Sequence, residues 1–218
     1  MAQTEAAFGH RLANLWVHND FMLVDGAKMA KSRGNSYIMR DITGKGFDPL
    51  ALRLLYLQAH YRSEINFTWD SLEAATNRLN DLRALAALQW QPQAATHDAA
   101  SFALPDVAPT ILASLQNDLD TPAALAYLSD VSKQLQATLV SEELLSEFKD
   151  MLGALDDLLG LRLSEVSDIS AEQKQLIADR EAARSAKDWA KSDLLRDQLT
   201  AQGIGQRDTP SGTVWFRT

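Results

Sequence analysis

Apolar residues recur at helical spacing through the middle of the chain. Between residues 67 and 163, leucines and alanines follow one another three and four positions apart, which predicts amphipathic helices. We interpret Thr68, Thr121 and Ser141, which precede three of these stripes, as helix N-caps. Short connections between such helices predict an antiparallel helical bundle.

The pattern before the bundle is mixed. An apolar and aromatic stretch, Leu12 to Val17, is followed by a strand-like run, Phe21 to Val24, and by a turn at Asp25-Gly26. Asp48-Pro49 predicts an N-cap and the first residue of a helix, and the leucines that follow predict that this helix is buried. Within the bundle, residues 89–109 contain several Pro, Ala and Ser residues and predict a loop.

The C-terminal segment follows a predicted linker at 163–169. Ser170 and Gln173 have the spacing of a capping box, which predicts a helix to about Ser185. Asp188 predicts the cap of a second helix that ends at Gly203. Beyond it the pattern predicts two strands joined by a Pro-containing turn, 204–208 and 213–217.

Composition excludes several classes of protein. The 218 residues are 46% hydrophobic and 23% charged, as in ordinary globular domains. Because the chain has no cysteine, it has no disulfide, no thiolate nucleophile and no Cys-based zinc site. Its four histidines lack metal-ligand spacing, so we expect no metal site in this chain. The first residues do not resemble a signal peptide and no apolar run approaches the ~20 residues of a membrane helix, so we expect a cytoplasmic protein without membrane contact.

The net charge of −8 is unevenly distributed. Residues 1–66 carry eight Lys and Arg against six Asp and Glu, residues 67–168 five against sixteen, and residues 169–218 eight against seven. The acidity therefore lies in the middle, where it fits the solvated faces of the bundle. Local basic patches at the two ends remain compatible with a polyanionic partner.

The strongest candidate for chemistry is the polar string from Lys28 to Asn35, KMAKSRGN. Two lysines three residues apart, in a loop flanked by glycines, can bring two positive charges to one anionic centre. Pyrophosphate leaving ATP is such a centre, and groups already aimed at developing charge stabilise it best. A solvated basic loop without function is the alternative for a bare K-x-x-K pattern.

The string resembles the KMSKS signature of class I aminoacyl-tRNA synthetases, with Ala30 in place of the first serine. Other strings are similar to cysteinyl-tRNA synthetases in particular, and together they span the chain. They are Gly9-His10, Trp16 to Asn19, His60 to Ser63, Asn66-Phe67, Asp118 to Pro122, Arg184 to Trp189, Leu195 to Asp197, Gly203-Ile204 and Asp208 to Thr213.

This resemblance covers only about the C-terminal half of the family's chain. The HIGH sequence and the zinc ligands of the family are absent, so we expect this chain alone to be inactive in cysteine attachment. The zinc of the family would have no ligands here. Two alternatives remain: a free-standing tRNA-binding module without catalysis, and the related cysteine ligase of mycothiol synthesis. The intact tail argues against the second.

The resemblance implies a mainly α fold with three parts. Residues 1–66 would be the end of the catalytic domain and the fold that contacts the tRNA acceptor stem. Residues 67–163 would be the helical bundle, and residues 169–218 a small α/β anticodon-binding domain. The implied partners are cysteine tRNA and ATP with magnesium, and the implied state is a monomer that could associate through exposed N-terminal apolar residues.

The resemblance also implies roles for individual residues of the signature loop. Lys28 and Lys31 match the two catalytic lysines, and Lys28, Met29, Lys31 and Ser32 match ATP-binding positions. The change to Ala30 removes a hydroxyl and no charge, so it affects only hydrogen bonding within the loop.

In the tail, the resemblance assigns anticodon reading to four residues: Arg184, Trp189, Asp193 and Asp208. Their chemistry fits, because splayed RNA bases stack on aromatic rings and hydrogen-bond to guanidinium and carboxylate groups. Alternatives stay open for three of them: Trp189 as a core residue, and Arg184 and Asp193 as members of a surface ion pair.

His60 and Arg62 stand in a His-Tyr-Arg-Ser string at the end of a helix. We interpret His60 as structural rather than catalytic. Arg62 fits either contact with an RNA phosphate or capping of a helix C-terminus.

Overall fold

The computed structural model describes residues 2–11, 13–92, 104–209 and 212–218. Its α-helices in these ranges are α1 (Ala2–Phe8), α2 (Met39–Gly44), α3 (Pro49–Leu57), α4 (Trp69–Ala86), α5 (Val107–Gln116), α6 (Thr121–Thr138), α7 (Leu145–Leu159), α8 (Ala171–Ser185) and α9 (Trp189–Ala201). Its strands are β1 (Met22–Val24), β2 (Ala27–Lys28), β3 (Ile65–Phe67), β4 (Ile204–Thr209) and β5 (Gly212–Arg217). The expected mainly α fold is confirmed.

Two of the helix starts follow the sequence prediction. The Asp48 carboxylate accepts a hydrogen bond from the Leu50 amide at 2.8 Å, with Pro49 as the first residue of α3. The Thr68 hydroxyl accepts from the Ser71 amide at 2.9 Å at the start of α4. These caps orient two helices whose apolar faces form the centre of the core.

Two other predicted caps are wrong. The cap of α6 is Asp120, whose carboxylate accepts from the Ala123 amide at 3.0 Å, so Thr121 is already inside the helix. Ser141 caps no helix, because it opens a separate turn in which the Leu144 amide donates to its carbonyl oxygen at 3.2 Å. Helix α7 therefore begins only at Leu145.

The loop predicted at 89–109 is shorter than expected. A 3₁₀ turn, Ala87–Trp90, continues α4, and a second one, Leu104–Asp106, leads into α5 at Val107. Pro109 is the third residue of α5, where the missing amide hydrogen has no helical partner to lose. The buried Leu104, Val107 and Ile111 explain why this segment is ordered against α7. The rest of the predicted loop, 93–103, lies outside the described residues.

The C-terminal elements match the prediction closely. The Ser170 and Gln173 capping box starts α8, and the Asp188 carboxylate accepts from the Lys191 amide at the start of α9. Strands β4 and β5 pair antiparallel, while residues 210 and 211 of the predicted turn lie outside the described ranges. The predicted linker at 163–169 is packed rather than free, since Leu163 and Ile169 are buried at its two ends.

The C-terminal hairpin packs directly on the bundle. The Gln91 side chain pairs with the backbone of Trp215: its Nε2 donates to the carbonyl oxygen at 3.0 Å, and its Oε1 accepts from the amide at 2.7 Å. Val214 joins the core of the bundle, while Trp215 joins a second core with Ile177 and Leu199. Adjacent residues of β5 therefore serve two hydrophobic cores.

The N-terminal region exposes apolar side chains, as expected. Leu15, Trp16 and Phe21 are exposed, at 78%, 47% and 68% of their surface, and Leu12 lies outside the described residues. The strand expected from Phe21 begins one residue later and occupies the centre of a sheet ordered β2-β1-β3, with β1 and β3 parallel. Among the described helices, none has the length and apolar character needed to cross a bilayer.

Candidate nucleotide and RNA sites

The signature loop starts from a tight hairpin between β1 and β2. Asp25 and Gly26 both have positive φ, +51° and +71°, as a two-residue hairpin turn requires. The Gly26 amide also donates to the Asn66 side-chain oxygen at 2.9 Å, which ties the turn to β3. The loop therefore leaves the sheet from a fixed point.

One side chain closes the loop on itself. The Asn35 Oδ1 accepts from the Ala30 amide at 2.9 Å, and its Nδ2 donates to the Lys28 carbonyl oxygen at 3.2 Å. A 3₁₀ turn, Lys31–Arg33, lies inside the closed loop. Ala30 therefore takes part in closing the loop through its backbone amide. The loop stays closed without the serine hydroxyl that the signature has at this position.

The loop side chains divide into an inward and an outward set. Lys28 and Ser32 are exposed, and the Lys28 ammonium lies 5.6 Å from the centre of the Phe21 ring. Met29 is half-buried and packs against the main core. It also borders a small apolar cavity of about 170 Å³, together with Tyr37 and Ile42. Met29 therefore holds the loop to the core while Lys28 and Ser32 face solvent; the Lys31 side chain lies outside the described part of the structure.

In the C-terminal segment, Trp189 is not a core residue. It is the first residue of α9 and exposes 59% of its surface. The turn before it is closed by two backbone hydrogen bonds. The Lys187 amide donates to the Arg184 carbonyl oxygen at 2.9 Å, and the Asp188 amide donates to the Ala183 carbonyl oxygen at 2.8 Å. The compact turn places Trp189 and Arg184 at the same end of the helix pair.

Asp208 lies at the centre of a cluster that includes two arginines. Arg180 Nη1 and Nη2 donate to its two carboxylate oxygens at 3.0 and 3.2 Å. Arg184 forms a further ion pair with it, and the Thr213 hydroxyl donates to it at 2.9 Å. The structure thus brings Arg184 and Asp208 together, as two of the four implied anticodon residues.

The cluster changes the acidity of the carboxyl group. The hydrogen bond from Arg180 is the largest influence, and together with Thr213 and Arg184 it outweighs the opposing effect of burial. These donors hold the pKa of Asp208 at about 2, below its usual value of 3.8. Asp208 is therefore ionised throughout the neutral and mildly acidic range.

Asp193 lies in a different environment. Its carboxylate is exposed and pairs with Arg196, one turn along α9, at 3.3 Å. The anticipated ion pair therefore forms, but with Arg196 and not with Arg184. Arg196 also approaches Asp197 at 3.8 Å.

The His-Tyr-Arg-Ser string joins the first segment to the turn between α5 and α6. His60 Nε2 lies 3.0 Å from the Asp118 carbonyl oxygen, and the Tyr61 hydroxyl donates to the Asp118 carboxylate at 2.7 Å. Arg62 pairs with the same carboxylate at 2.9 Å rather than with helix carbonyls. Asp118 and Leu119 both have positive φ, so these contacts hold a strained turn.

Sequence reasoning missed the roles of Asn35 and Arg180. Asn35 was part of the recognised string, and its place just after Gly34 was the available signal. Arg180 lies one helical turn before Arg184, a spacing that places both on one face of α8. Nothing in the sequence alone indicated that β4 returns to this face.

Three family models match successive parts of the chain. Residues 1–77 match the class I tRNA synthetase (C) catalytic domain, residues 111–164 the DALR domain, and residues 166–215 the cysteinyl-tRNA ligase anticodon binding domain. Among solved structures, the LeuRS of Agrobacterium radiobacter K84 in its ternary complex with tRNA and LeuAMS is similar in fold. Its TM-score is 0.52, at 18% identity over 68% of this chain and 21% of that chain. These matches define the fold as that of class I aminoacyl-tRNA synthetases.

Curated relatives narrow the class. The chain is 40% identical to cysteine–tRNA ligase 1 of Burkholderia lata, 37% to cysteine–tRNA ligase of Halorhodospira halophila, and 35% to that of Leptospira interrogans. The alignments cover 99–100% of this chain and 44–48% of those proteins. The chain belongs to the cysteinyl-tRNA synthetase family and spans about half the length of the curated relatives it matches. Nothing in these comparisons supports a free-standing tRNA-binding module.

Proposed function

We propose that this chain supplies the ATP loop and the tRNA-binding region of a cysteine–tRNA ligase, which attaches cysteine to its tRNA at the expense of ATP. The observation that carries the proposal is the match of the whole chain to enzymes of that name. The chain would then have three parts. Residues 1–66 carry the ATP loop and the contact with the tRNA acceptor stem, residues 67–163 form the helical bundle, and residues 169–218 bind the anticodon. The setting proposed is the cytoplasm.

In this proposal, the loop acts on ATP bound with magnesium. Lys28 and Lys31 stabilise the negative charge that develops on the departing pyrophosphate. Met29 and Ser32 contribute to the ATP site, Ser32 through its exposed hydroxyl and Met29 by holding the loop against the core. The closed loop around Asn35 supports this role, because a preorganised loop loses little conformational entropy on binding.

The part of the chain that the structure describes holds no site for the zinc ion of the family. The sequence has no cysteine, and the described ranges hold no group of three His, Asp or Glu side chains able to bind a metal. In pyrophosphate exchange with cysteine and ATP, we expect the isolated chain to be inactive, and measurable exchange would contradict this.

The tail is proposed to read the anticodon through Arg184, Trp189, Asp193 and Asp208. The exposed face of Trp189 supports stacking of a splayed base, which is worth about 1–3 kcal/mol per base. The carboxylate of Asp193 is exposed beside it on α9. Asp208 is proposed to contribute at the site through its ion pair with Arg184.

Binding to RNA tests this proposal. We expect the chain to bind cysteine tRNA more tightly at low salt than the same tRNA with a changed anticodon. Trp189→Ala should weaken binding to the cognate tRNA by about 5- to 150-fold, the equivalent of one lost stacking contact. Leu112→Ala is the control, since Leu112 is also an exposed apolar residue but lies in the bundle, outside the proposed RNA contacts. Equal binding of the two tRNAs by the unaltered chain would contradict the proposal.

A further inference from the structure

We propose that the buried Arg180, through its ion pair with Asp208, forms an anchor that positions the guanidinium of Arg184 to read an RNA base. In this arrangement Asp208 Oδ1 holds the two guanidinium groups side by side, and Arg180 is a positioning residue that acts through Asp208 on Arg184. The inference rests on the proposed function, because it concerns how the same anticodon site works.

One oxygen of the Asp208 carboxylate joins the two arginines. An ionised carboxylate offers about four lone-pair sites, two on each oxygen. Arg180 donates to both oxygens, and Arg184 and Thr213 approach Oδ1 as well. Oδ1 therefore has three partners, and it connects the Arg180 guanidinium to that of Arg184.

Burial assigns different roles to the two arginines. The Arg180 side chain is 7% exposed, so its charge needs the carboxylate beside it. The Arg184 side chain is 35% exposed and shares that same carboxylate. Two guanidinium groups on one carboxylate leave one positive charge in excess. This excess lies on the accessible group, Arg184, where acceptors of an RNA base can meet it.

Three elements fix the place of Arg184. Arg180 and Arg184 lie one turn apart on α8, and Asp208 comes from β4. The Glu181 carboxylate accepts the Thr213 amide at 2.9 Å, which joins β5 to the same helix. Arg184 is therefore held before RNA binds, and less side-chain entropy is lost when it does.

Guanidinium geometry indicates which bases would be selected. A planar fork matches two acceptors on one base edge, and guanine presents such a pair in O6 and N7. One such bidentate contact discriminates against a wrong base by about 5- to 150-fold. We therefore expect the anchor to control selectivity between bases more than overall affinity for RNA.

The test measures the binding of two tRNA anticodon stem-loop RNAs, one with the cysteine anticodon GCA and one with its guanine changed to adenine. The ratio of the two dissociation constants gives the discrimination. Arg180→Met should lower this ratio by a factor of about five or more and leave affinity for the changed RNA nearly constant. Arg162→Met removes the same charge from an exposed arginine near Glu165 and should leave the ratio unchanged.

A double-mutant cycle separates positioning from general structure. If Arg180 acts through Arg184, Arg180→Met should lower the ratio in the unaltered chain and have no further effect in an Arg184→Met background. Circular dichroism and melting establish that each variant is folded. If Arg180→Met does not fold, Arg180→Lys takes its place, because lysine keeps the charge and loses the fork.

The outcomes are distinct. Full discrimination by folded Arg180→Met or Arg180→Lys overturns the anchor while the proposed anticodon site stands. If Arg180→Met lowers the discrimination equally in the unaltered chain and in the Arg184→Met background, the anchor is also overturned, and Arg180 has a structural role. An unaltered chain that does not discriminate between the two RNAs overturns the proposed function, and the anchor with it.

Discussion

At the scale of single residues, Asp208 links acidity to stability. Its pKa is about 2 in the folded chain and 3.8 when unperturbed, so the folded state favours the ionised form. The stabilisation is complete above pH 3.8 and is lost as the pH falls through about 2. Because the carboxyl group is partly exposed, we expect only about 1 kcal/mol from it at neutral pH.

Asp208→Asn measures this contribution. In urea unfolding at pH 7 the variant should be less stable than the unaltered chain, and the difference should shrink between about pH 4 and pH 2. Asp130→Asn removes an exposed carboxylate paired with Lys133 and should change the stability by less than about 0.5 kcal/mol. A difference for Asp208→Asn that stays constant over this pH range would contradict the assigned pKa.

At the scale of elements, the start of α3 combines a cap with an ion pair. Besides accepting from the Leu50 amide, the Asp48 carboxylate pairs with Arg83 of α4 at 2.5 Å. Burial raises the pKa of Asp48, but the hydrogen bonds from Arg83 and Leu50 outweigh it, so the pKa is lowered overall. One side chain thus starts α3 and joins it to α4.

Two substitutions divide these roles. Asp48→Asn keeps an oxygen for the cap and loses the charge opposite Arg83, so we expect a loss below about 1 kcal/mol in unfolding free energy. Asp48→Ala removes the cap as well and should cost about 1 kcal/mol more. Equal melting temperatures of the two variants would show that the cap contributes nothing.

The helix starts show how far sequence reasoning reaches. Asp48, Thr68, Ser170 and Asp188 were identified correctly because each polar side chain caps the backbone a few residues ahead, a purely local contact. Helix α5 was missed because its segment is rich in Pro and Ala. Its order depends on distant packing, with Leu104, Val107 and Ile111 buried in the bundle core.

The candidate site shows the same division. The signature loop and the four implied anticodon residues came from short strings along the chain. The pairing of Arg180 with Asp208 joins positions 28 residues apart, and no local pattern encodes it. Exposure of Trp189 was equally undetermined, because an aromatic residue at a helix start fits a core or a surface.

At the scale of the whole molecule, the hairpin connects two hydrophobic cores. Gln91 extends from the end of α4 and pairs with the backbone amide and carbonyl of Trp215 on the free edge of β5. On one side of this contact Val214 enters the main core, and on the other Ile204 and Trp215 enter the second core. The contact between Gln91 and Trp215 should therefore make the bundle and the C-terminal segment unfold together.

Gln91→Ala tests this coupling. Loss of the side chain leaves the buried amide and carbonyl of Trp215 without these bonds, so we expect a cost of about 1–3 kcal/mol. Hydrogen exchange should accelerate at the amides of β4, β5 and α9 more than at those of α4, because the hairpin can then open while the bundle stays folded. Gln175→Ala, which removes an exposed contact with Asp179, should change neither region. Uniform acceleration throughout the chain would instead show that Gln91 supports one indivisible core.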